Sequence, residues 1–432
     1  MEDHLGLANL LKLKAVFRRY DSLPEHRKQE LQLLQLRRIA RHAFKHTAYY
    51  NESWRKADVT PNDIRSLADL SRLPLLTKAD VMANPGAFCA NNYTGLCHFK
   101  TATSETRFEF DARSVAIAKV KSLLALSSYF KRSGLRSGIR ALAMVNGQEI
   151  GASMVPPGPV IEHMKILSYA RNREQCFSEM DAFQPHAIFA YPSFLSDYAR
   201  HIQQGGEQAG VRLVVACGEI VDNKAIDEWR NTFGAEVVCQ YGATESLCRI
   251  ATSCPEMRLH VDASLFALES VAIGKAMHLI LTSLFNYRMP LIRYDIGDLG
   301  EVIESDCPCG ARSPVIVAAQ GRLSESLCLP DGRLVPAAEL LDVMRPIPGL
   351  IEWQVVQEGN RSVRFDLVCG EAGCDMRSLV ASRVREGIAR INVTGMDVKV
   401  QPVQRIEPEP NGKKRLVVQN DQAARAALST GR

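Results

Sequence analysis

The chain has 432 residues, of which 46% are hydrophobic and 23% are charged, ordinary values for a folded globular protein. Such a chain can bury a sizeable core, so wholesale disorder is excluded, and its length predicts two or three domains. Lys and Arg total 53 against 48 for Asp and Glu, and the net charge of +5 is too small to indicate a nucleic acid or an anionic membrane as a partner.

The sequence also predicts the compartment. No apolar run approaches the roughly 18–20 residues that are needed to cross a bilayer. The N-terminal stretch MEDHLGLANLLKLKAVFRRY is interrupted by charges and has no signal-peptide core. Without a secretory signal, the 12 cysteines favour reduced thiols or metal ligands over a disulfide framework. We therefore expect a cytoplasmic enzyme.

The predicted elements change character along the chain. Residues 25–50 have one apolar face at a helical period, and Thr77 is the predicted N-cap of a short helical segment, 77–83. Beyond about residue 115, β-rich runs alternate with the helix-like stretches DYARHIQQ (197–204) and NKAIDEWRNTF (223–233). The β-rich runs are AIFAY (187–191), VRLVVAC (211–217) and AEVVCQYG (235–242). This alternation predicts βαβ units and a largely parallel sheet.

Two later regions have other patterns. LHVDAS, FALESVAI, HLILTSLF and GEVIES follow one another closely with turns between them, which is typical of antiparallel strands. From about residue 323, the strands IEWQVVQ, SVRFDLVC and DVKVQPV and the helix SLVASRVREGIARI predict a small α+β unit.

The most informative motif is CQYGATESL (239–247). It places an aromatic ring, a tight turn, a hydroxyl and a carboxylate at the carboxyl end of a predicted strand, where open α/β sheets bind ligands. The Thr244 hydroxyl can bind phosphate oxygens, and the Glu245 carboxylate can hold Mg²⁺. Taken alone, the motif fits an ordinary strand-to-helix turn capped by Thr244 equally well.

Further motifs follow in a fixed order: RMPLIRYDIGD (288–298), GRLSE (321–325) and PNGKKR (410–415). Together with HTAYYNESW (46–54) and LPLLTKADV (73–81), they resemble the motifs of the adenylate-forming superfamily, in its phenylacetate–CoA ligase and coenzyme F390 synthetase-like branch. The resemblance covers nearly the whole chain. It implies an α/β fold with a large N-terminal domain (1–322) and a small mobile α+β lid (323–432). The large domain is expected to combine mainly parallel sheets with a small antiparallel, barrel-like part.

The resemblance assigns roles to individual residues. It implies that Asp298 grips the ribose hydroxyls, that Arg322 contacts the nucleotide beside the interdomain hinge, and that Lys413 bridges the acyl carboxylate and the α-phosphate during adenylation. It assigns Thr244 to phosphate binding and Glu245 to Mg²⁺ binding. The adenine site is assigned to a group of strand-end residues, namely Gly218, Glu219, Tyr241 and Gly242. The implied cofactors are ATP with Mg²⁺ and coenzyme A, and LPDGRLVPAAEL resembles the loop that guides pantetheine.

Two positions depart from the family pattern. Where relatives have a glycine-rich phosphate loop, this chain has KTATSETRFEF (100–110), which contains hydroxyls but no glycine. Such loops use glycine for unusual backbone angles and for close approach to phosphate, and Glu105 would repel a triphosphate. Ser324 replaces the hinge aspartate of many relatives, and Glu325 stands beside it as a substitute.

A separate group of residues predicts a metal site. Cys254 and His260 lie in CPEMRLH, and Cys307 and Cys309 lie in DCPCG. Two cysteines of a Cys-x-Cys knuckle with a third cysteine and a histidine make a four-ligand set of the type that structural Zn²⁺ takes. The spacing is looser than that of Cys-x₂-Cys pairs, and four unconnected residues are the alternative.

The sequence gives the least information about the acyl pocket. By the resemblance, Tyr191, Pro192 and Phe194 in AYPSF line it, although aromatic residues are as often plain core. The segment 145–159 adds glycines and prolines that fit its wall.

Three hypotheses for function remain. The first is ATP-dependent activation of a carboxylic acid, expected to be aromatic, and its transfer to coenzyme A or to a carrier-protein thiol. The second is an ATP-independent acyltransferase that moves the acyl group from its CoA thioester to an acyl carrier protein, which the altered 100–110 loop favours. The third is a non-catalytic sensor, which predicts loss of Lys413, and Lys413 is present. We rank them in this order.

Overall fold

A mixed sheet of eleven strands lies at the centre of the molecule, and helices pack against it on an extensive apolar core. The protein is described by a computed structural model. The described residues are 7–93, 99–102, 107–145, 160–207, 210–304, 306–344, 347–370, 374–391, 393, 395–409 and 413–420. None of the helices in these ranges is long and apolar enough to cross a membrane.

The helices of the described ranges begin in the N-terminal third and recur between the strands. They are α1 (Leu7–Asp21), α2 (Glu25–His46), α3 (Ala48–Lys56), α4 (Lys78–Ala83), α5 (Ala112–Arg132), α6 (Arg173–Phe183), α7 (Pro192–Gln203), α8 (Asn223–Phe233), α9 (Ala337–Met344) and α10 (Cys374–Arg390). Helix α4 begins where the sequence predicts, because Thr77 accepts a hydrogen bond from the Asp80 backbone and caps it. Helix α7 begins earlier than predicted, with Pro192 at its first position, a place that proline favours.

The strands of the central sheet fall into two halves. They are β3 (Ile139–Val145), β4 (Ile161–Ser168), β5 (Ala187–Ala190), β6 (Leu213–Cys217), β7 (Glu236–Gly242), β8 (Arg249–Ser253), β9 (Leu259–Val261), β10 (Phe266–Ile273), β11 (Ala276–Ser283), β12 (Tyr294–Ile303) and β13 (Val315–Arg322). Their order is β10-β11-β12-β13-β9-β8-β7-β6-β5-β3-β4. Strands β3 to β7 are parallel and the others antiparallel. The predicted fold class is confirmed, with both halves joined in one sheet through β7 and β8.

A small hairpin precedes the parallel half of the sheet. Strands β1 (Phe99–Ala102) and β2 (Arg107–Phe110) pair antiparallel, with Ala102 opposite Arg107. The segment 103–106, which contains the altered part of the phosphate loop, connects the two strands and lies outside the described residues.

The N-terminal helices are tied to the segment that carries the motif RMPLIRYDIGD (288–298), whose last five residues begin β12. The Tyr50 hydroxyl donates to the Pro290 carbonyl at 3.0 Å and accepts from the Ile292 amide at 2.9 Å. Leu76 forms a bridge with Tyr294 at the start of β12. The segments HTAYYNESW and LPLLTKADV therefore hold β12 in place.

The residues after Arg322 form a separate sheet with its own apolar core. Its strands are β16 (Leu350–Gly359), β17 (Ser362–Cys369), β18 (Asp397–Pro402) and β19 (Val417–Gln419), in the order β18-β17-β16-β19. A two-stranded ribbon of β14 (Leu327–Cys328) and β15 (Leu334–Val335) precedes them. Helices α9 and α10 contribute to the same core as β16 and β17. The division at residue 322 and the mobility of the smaller unit stay predictions.

Candidate active site

The carboxyl ends of β5, β6 and β7 bring several predicted residues together at one edge of the sheet. Tyr191 follows β5, Gly218 follows β6, and Tyr241 and Gly242 end β7. Gly218 has a φ of +83°, and a β-carbon there would lie 2.8 Å from Cε1 of Tyr191. Glycine is therefore required at this position, both for the backbone angle and for the close approach of the Tyr191 ring.

Glu219 is held by protein groups on two sides. Its carboxylate accepts hydrogen bonds from the Ser193 amide at 2.8 Å and the Ser193 hydroxyl at 3.1 Å, at the N-terminus of α7. It also accepts a 3.4 Å bond from the Lys414 amide of the C-terminal unit. Burial raises the pKa of Glu219. Glu219 thus connects β6, α7 and the segment that contains Lys413.

Lys413 enters the same space from the C-terminal unit. Its Nζ lies 5.3 Å from the centre of the Tyr191 ring, and the Tyr191 ring stacks on Tyr169 with centroids 4.0 Å apart. Burial lowers the pKa of Lys413, and the charge of Arg322 lowers it further. A cation on an aromatic face, at the end of parallel strands, can reach an anion bound there.

Asp298 forms a second cluster with Tyr241 and Arg322. The Tyr241 hydroxyl donates to Oδ2 of Asp298 at 2.6 Å, and Nε of Arg322 lies 3.6 Å from Oδ1. Oδ1 is buried and accepts no hydrogen bond from the described residues. Burial raises the pKa of Asp298, even though Arg322 acts in the opposite direction. The cluster offers a ligand one buried carboxylate oxygen that can accept a hydrogen bond.

Thr244 and Glu245 lie in a short 3₁₀ turn, Thr244–Ser246, which leads into the antiparallel strand β8. The alternative of an ordinary strand-to-helix turn does not hold here, because Leu247 takes a left-handed conformation with a φ of +62° and the chain continues into β8. The buried Glu245 carboxylate accepts a 3.3 Å bond from the Tyr294 hydroxyl, and burial raises its pKa. Strand β1 contacts this turn, so the β1–β2 hairpin borders Thr244 and Glu245.

Some residues that shape the site carried no clear sequence signal. His278 is buried, and its Nδ1 lies 3.0 Å from Asp295, whose other oxygen accepts a 2.8 Å bond from the Gly297 amide. Arg293 has a φ of +53° and donates to the carbonyls of Ser71 and Leu73. These contacts fix the beginning of β12, the strand that carries Asp298. Arg293 and Asp295 lie within the motif RMPLIRYDIGD, but nothing in the sequence indicated these contacts.

The predicted acyl-pocket residues differ in their surroundings. Tyr191 lies beside Lys413, and Pro192 is the buried first residue of α7. Phe194 is 1% exposed and packs against Tyr169 and Phe177. This packing favours a core role for Phe194 over a substrate contact. The segment 146–159 lies outside the described residues.

The four predicted metal ligands meet away from this edge. One ligand atom of each of Cys254, His260, Cys307 and Cys309 lies within 4.8 Å of the others. The Sγ atoms of Cys254 and Cys307 are 3.7 Å apart, and Sγ of Cys309 is 3.5 Å from Nε2 of His260. Nδ1 of His260 lies 3.3 Å from the Ser313 carbonyl, which leaves Nε2 facing the cysteines.

Comparisons with known proteins agree with this architecture. No protein-family model matches the chain. It is 25% identical over 372 residues to phenylacetate–coenzyme A ligase of Thermus thermophilus, covering 78% of this chain and 79% of the relative. It is 22% identical over 408 residues to protein CapK of Staphylococcus aureus, covering 90% of this chain and 89% of the relative. Among solved structures, 2-hydroxyisobutyryl-CoA ligase in the postadenylation state superposes with a TM-score of 0.75 at 18% identity. The superposition covers 96% of this chain and 94% of the ligase chain.

The fold and the relatives confirm the resemblance that the motifs predict. The chain has the fold of 2-hydroxyisobutyryl-CoA ligase and is similar in sequence to phenylacetate–CoA ligase over most of its length, as the resemblance to the adenylate-forming superfamily predicts.

Proposed function

We propose that the protein is an ATP-dependent acid–thiol ligase. It forms an acyl-adenylate from a carboxylic acid, which we expect to be aromatic, and passes the acyl group to coenzyme A or to a carrier-protein thiol. The observation that carries this proposal is the buried Oδ1 of Asp298, which accepts no hydrogen bond within the described ranges. A vicinal ribose diol supplies the donors that this oxygen lacks.

The nucleotide site extends from Asp298 along the strand ends. Tyr241, which bonds to Asp298, and the neighbouring Gly242 would form one wall for the base, and Gly218 would form the other. The Glu219 carboxylate is occupied by Ser193 and Lys414, so its side chain would support this wall rather than bind adenine directly.

Phosphate and metal binding would fall to the turn after β7. The Thr244 hydroxyl would bind a phosphate oxygen, and the buried Glu245 carboxylate would hold Mg²⁺. The chemistry of the donors fits, because Mg²⁺ prefers carboxylate and phosphate oxygens as ligands. Burial raises the pKa of Glu245, and a bound Mg²⁺ would offset the negative charge of the buried carboxylate. When bound, Mg²⁺ would neutralise charge on the phosphates.

Lys413 would act in the first half-reaction only. The acid's carboxylate attacks the α-phosphorus of ATP, the acyl–phosphate bond forms and pyrophosphate leaves. The cation of Lys413 would stabilise the charge that develops on the transferring oxygens. We propose that the unit after residue 322 then rotates as a lid. This rotation removes Lys413 and brings the loop LPDGRLVPAAEL, which contains Gly332, to the site for thioester formation.

One observation favours a second candidate, an ATP-independent transfer of an acyl group from its CoA thioester to an acyl carrier protein. The hairpin of β1 and β2 borders the turn after β7, and the sequence that connects its strands lacks glycine and contains Glu105. Such a sequence offers a triphosphate neither glycine amides nor a neutral surface. We rank this candidate second because it leaves the Asp298 cluster without a ligand.

We also propose one structural zinc ion, bound by Cys254, His260, Cys307 and Cys309. In a tetrahedral site the ligand atoms lie about 3.3–3.8 Å apart, and the 3.7 Å and 3.5 Å separations agree with this. The Ser313 carbonyl would accept a hydrogen bond from Nδ1 of His260 and so orient its ring. Four protein ligands leave no open position, so the ion would join the β8–β9 turn to the β12–β13 loop.

The experiment that tests the ligase proposal follows pyrophosphate release with ATP, Mg²⁺ and a panel of aryl acids. A ligase releases pyrophosphate with at least one acid, and omission of the acid stops the release. Failure with every acid, together with acyl transfer from acyl-CoA to a carrier protein in the absence of nucleotide, would establish the second candidate instead.

A further inference from the structure

A cluster of charged side chains crosses from α7 to the C-terminal unit beside Lys413. Nζ of Lys414 lies 2.5 Å from Glu352 of β16 and 3.7 Å from Asp197 of α7. Asp197 also pairs with Arg173, and with Arg200 at 3.2 Å. We call these five residues the latch cluster.

The latch cluster is shielded from water. The side chains of Lys414 and Asp197 are 15% and 12% exposed. Salt bridges at this level of exposure are less screened than surface pairs, and breaking one leaves charges in a poorly solvated place. Lys414 is also tied to the large domain through its amide, which donates to Glu219.

The pairing is arranged so that it can open. Lys414 and Glu352 both belong to the C-terminal unit, so rotation of that unit would leave their pair intact. Asp197 would keep Arg173 and Arg200 as partners. Rotation therefore breaks the Lys414–Asp197 pair and the Lys414–Glu219 bond without stranding any charge, which is the behaviour of a reversible contact between two states.

We propose that the latch cluster positions Lys413 for adenylation by holding the lid in its adenylating orientation. This inference rests on the ligase function proposed above. Consecutive Cα atoms are about 3.8 Å apart, so fixing Lys414 against α7 also fixes the backbone of Lys413. Lys414 and Asp197 are thus positioning residues, whereas Lys413 contacts the reacting groups.

The test compares the two half-reactions in Lys414→Met and Asp197→Asn. Adenylation, measured as pyrophosphate release, should fall about fivefold to tenfold in each variant, and the double variant should fall no further than either single one. Thioester formation from supplied acyl-adenylate should be unchanged or faster. Lys399→Met is the matched control, because Lys399 pairs with Glu358 within the C-terminal unit, and it should alter neither step.

A second readout separates this inference from the ligase proposal. In the nucleotide-free protein, amide hydrogen exchange of peptides from 413–420 should speed up in Lys414→Met but not in Lys399→Met. If wild type releases no pyrophosphate, the ligase proposal fails and the exchange result alone decides whether the contact holds the lid. Equal losses in both half-reactions, additive losses in the double variant, or unchanged exchange would overturn the latch.

Discussion

The Tyr241 hydroxyl donates a 2.6 Å hydrogen bond to Oδ2 of Asp298, while Oδ1 of the same carboxylate accepts none within the described part of the chain. Asp298 is 8% exposed, and burial raises its pKa. A charged group that is buried with half of its acceptors unused costs stability in the free protein. This arrangement is typical of a binding site that is completed only by its ligand.

Asp298→Asn should therefore stabilise the free protein and weaken nucleotide binding. The unfolded chain loses the Asp298 proton at the ordinary pKa, and the folded chain loses it only at a higher pH. The ionised carboxylate thus costs its full amount of stability above the folded pKa. This cost shrinks as the pH falls below the folded pKa and is gone below the unfolded pKa. We expect the melting temperature of the variant to exceed that of wild type by about 1–3 °C at pH 8, with a smaller gain at pH 4–5.

Calorimetric titration with AMP provides the binding arm of this comparison, and the Asp298→Asn variant should bind AMP at least about tenfold more weakly. A lower melting temperature of the variant at pH 8 would mean that the attraction between Arg322 and the Asp298 carboxylate outweighs the cost of burying that carboxylate. Unchanged AMP affinity would remove Asp298 from the nucleotide site.

Lys413→Ala should separate the two half-reactions. We expect adenylation to fall by about 10²–10³-fold, because the cation serves a charge that develops only in that transition state. Thioester formation from supplied acyl-adenylate should continue at the wild-type rate. Stopped-flow measurement of each step checks this, with Lys413→Arg as the charge-preserving control that should retain part of the adenylation rate. Equal loss of both steps would assign Lys413 to binding instead.

Tyr50→Phe tests how the N-terminal helices support the site. The substitution removes the hydroxyl that bonds both the Pro290 carbonyl and the Ile292 amide, and leaves these buried groups without that partner. We expect a loss of about 1–3 kcal/mol in the free energy of unfolding, measured by urea denaturation. Tyr49→Phe is the control, since the Tyr49 ring is only half-buried and makes neither bond. A similar loss in both variants would indicate a general packing effect.

The proposed zinc site predicts how much zinc the protein contains and how its loss changes the melting temperature. Freshly purified protein should contain one equivalent of zinc by elemental analysis, and Cys307→Ser and Cys309→Ser should each abolish it. Both variants should melt at a lower temperature, because a structural metal stabilises only the folded chain. Cys176→Ser, which alters a buried cysteine outside the cluster, should keep its zinc. Less than half an equivalent in wild type would contradict the proposal.

The repeating local patterns were predictable, and the long-range contacts were not. The β-branched runs and the Pro and Gly boundaries identified β5, β6 and β7, and the motif order identified the residues at their ends. Strand β19 has three residues and exists only because it pairs with β16, which local propensity does not encode. The turn after β7 depends on the positive φ of Leu247, a conformation that the sequence pattern of a leucine does not suggest.

The residues of the candidate site were also predictable only in part. Asp298 and Lys413 could be named from their motifs, but the partners that hold them could not. The His278–Asp295 contact depends on the register of β11 against β12, and the contact of Lys414 with Asp197 depends on how the C-terminal unit meets α7. Phe194 was expected beside the substrate because of its neighbours in AYPSF. Helix α7 begins at Pro192 and buries Phe194 against Tyr169 and Phe177, and its role at the substrate stays a prediction.

The central claim is that this chain activates an acid with ATP in spite of its altered phosphate loop. The most direct measurement is a single turnover with ATP, Mg²⁺ and an accepted aryl acid but no thiol, analysed by mass spectrometry. We predict about one enzyme-bound acyl-adenylate and one pyrophosphate per active site, with both formed about 10²–10³-fold more slowly by Lys413→Ala. Absence of both products across the acid panel, with nucleotide-free transfer from acyl-CoA to a carrier protein, would contradict it.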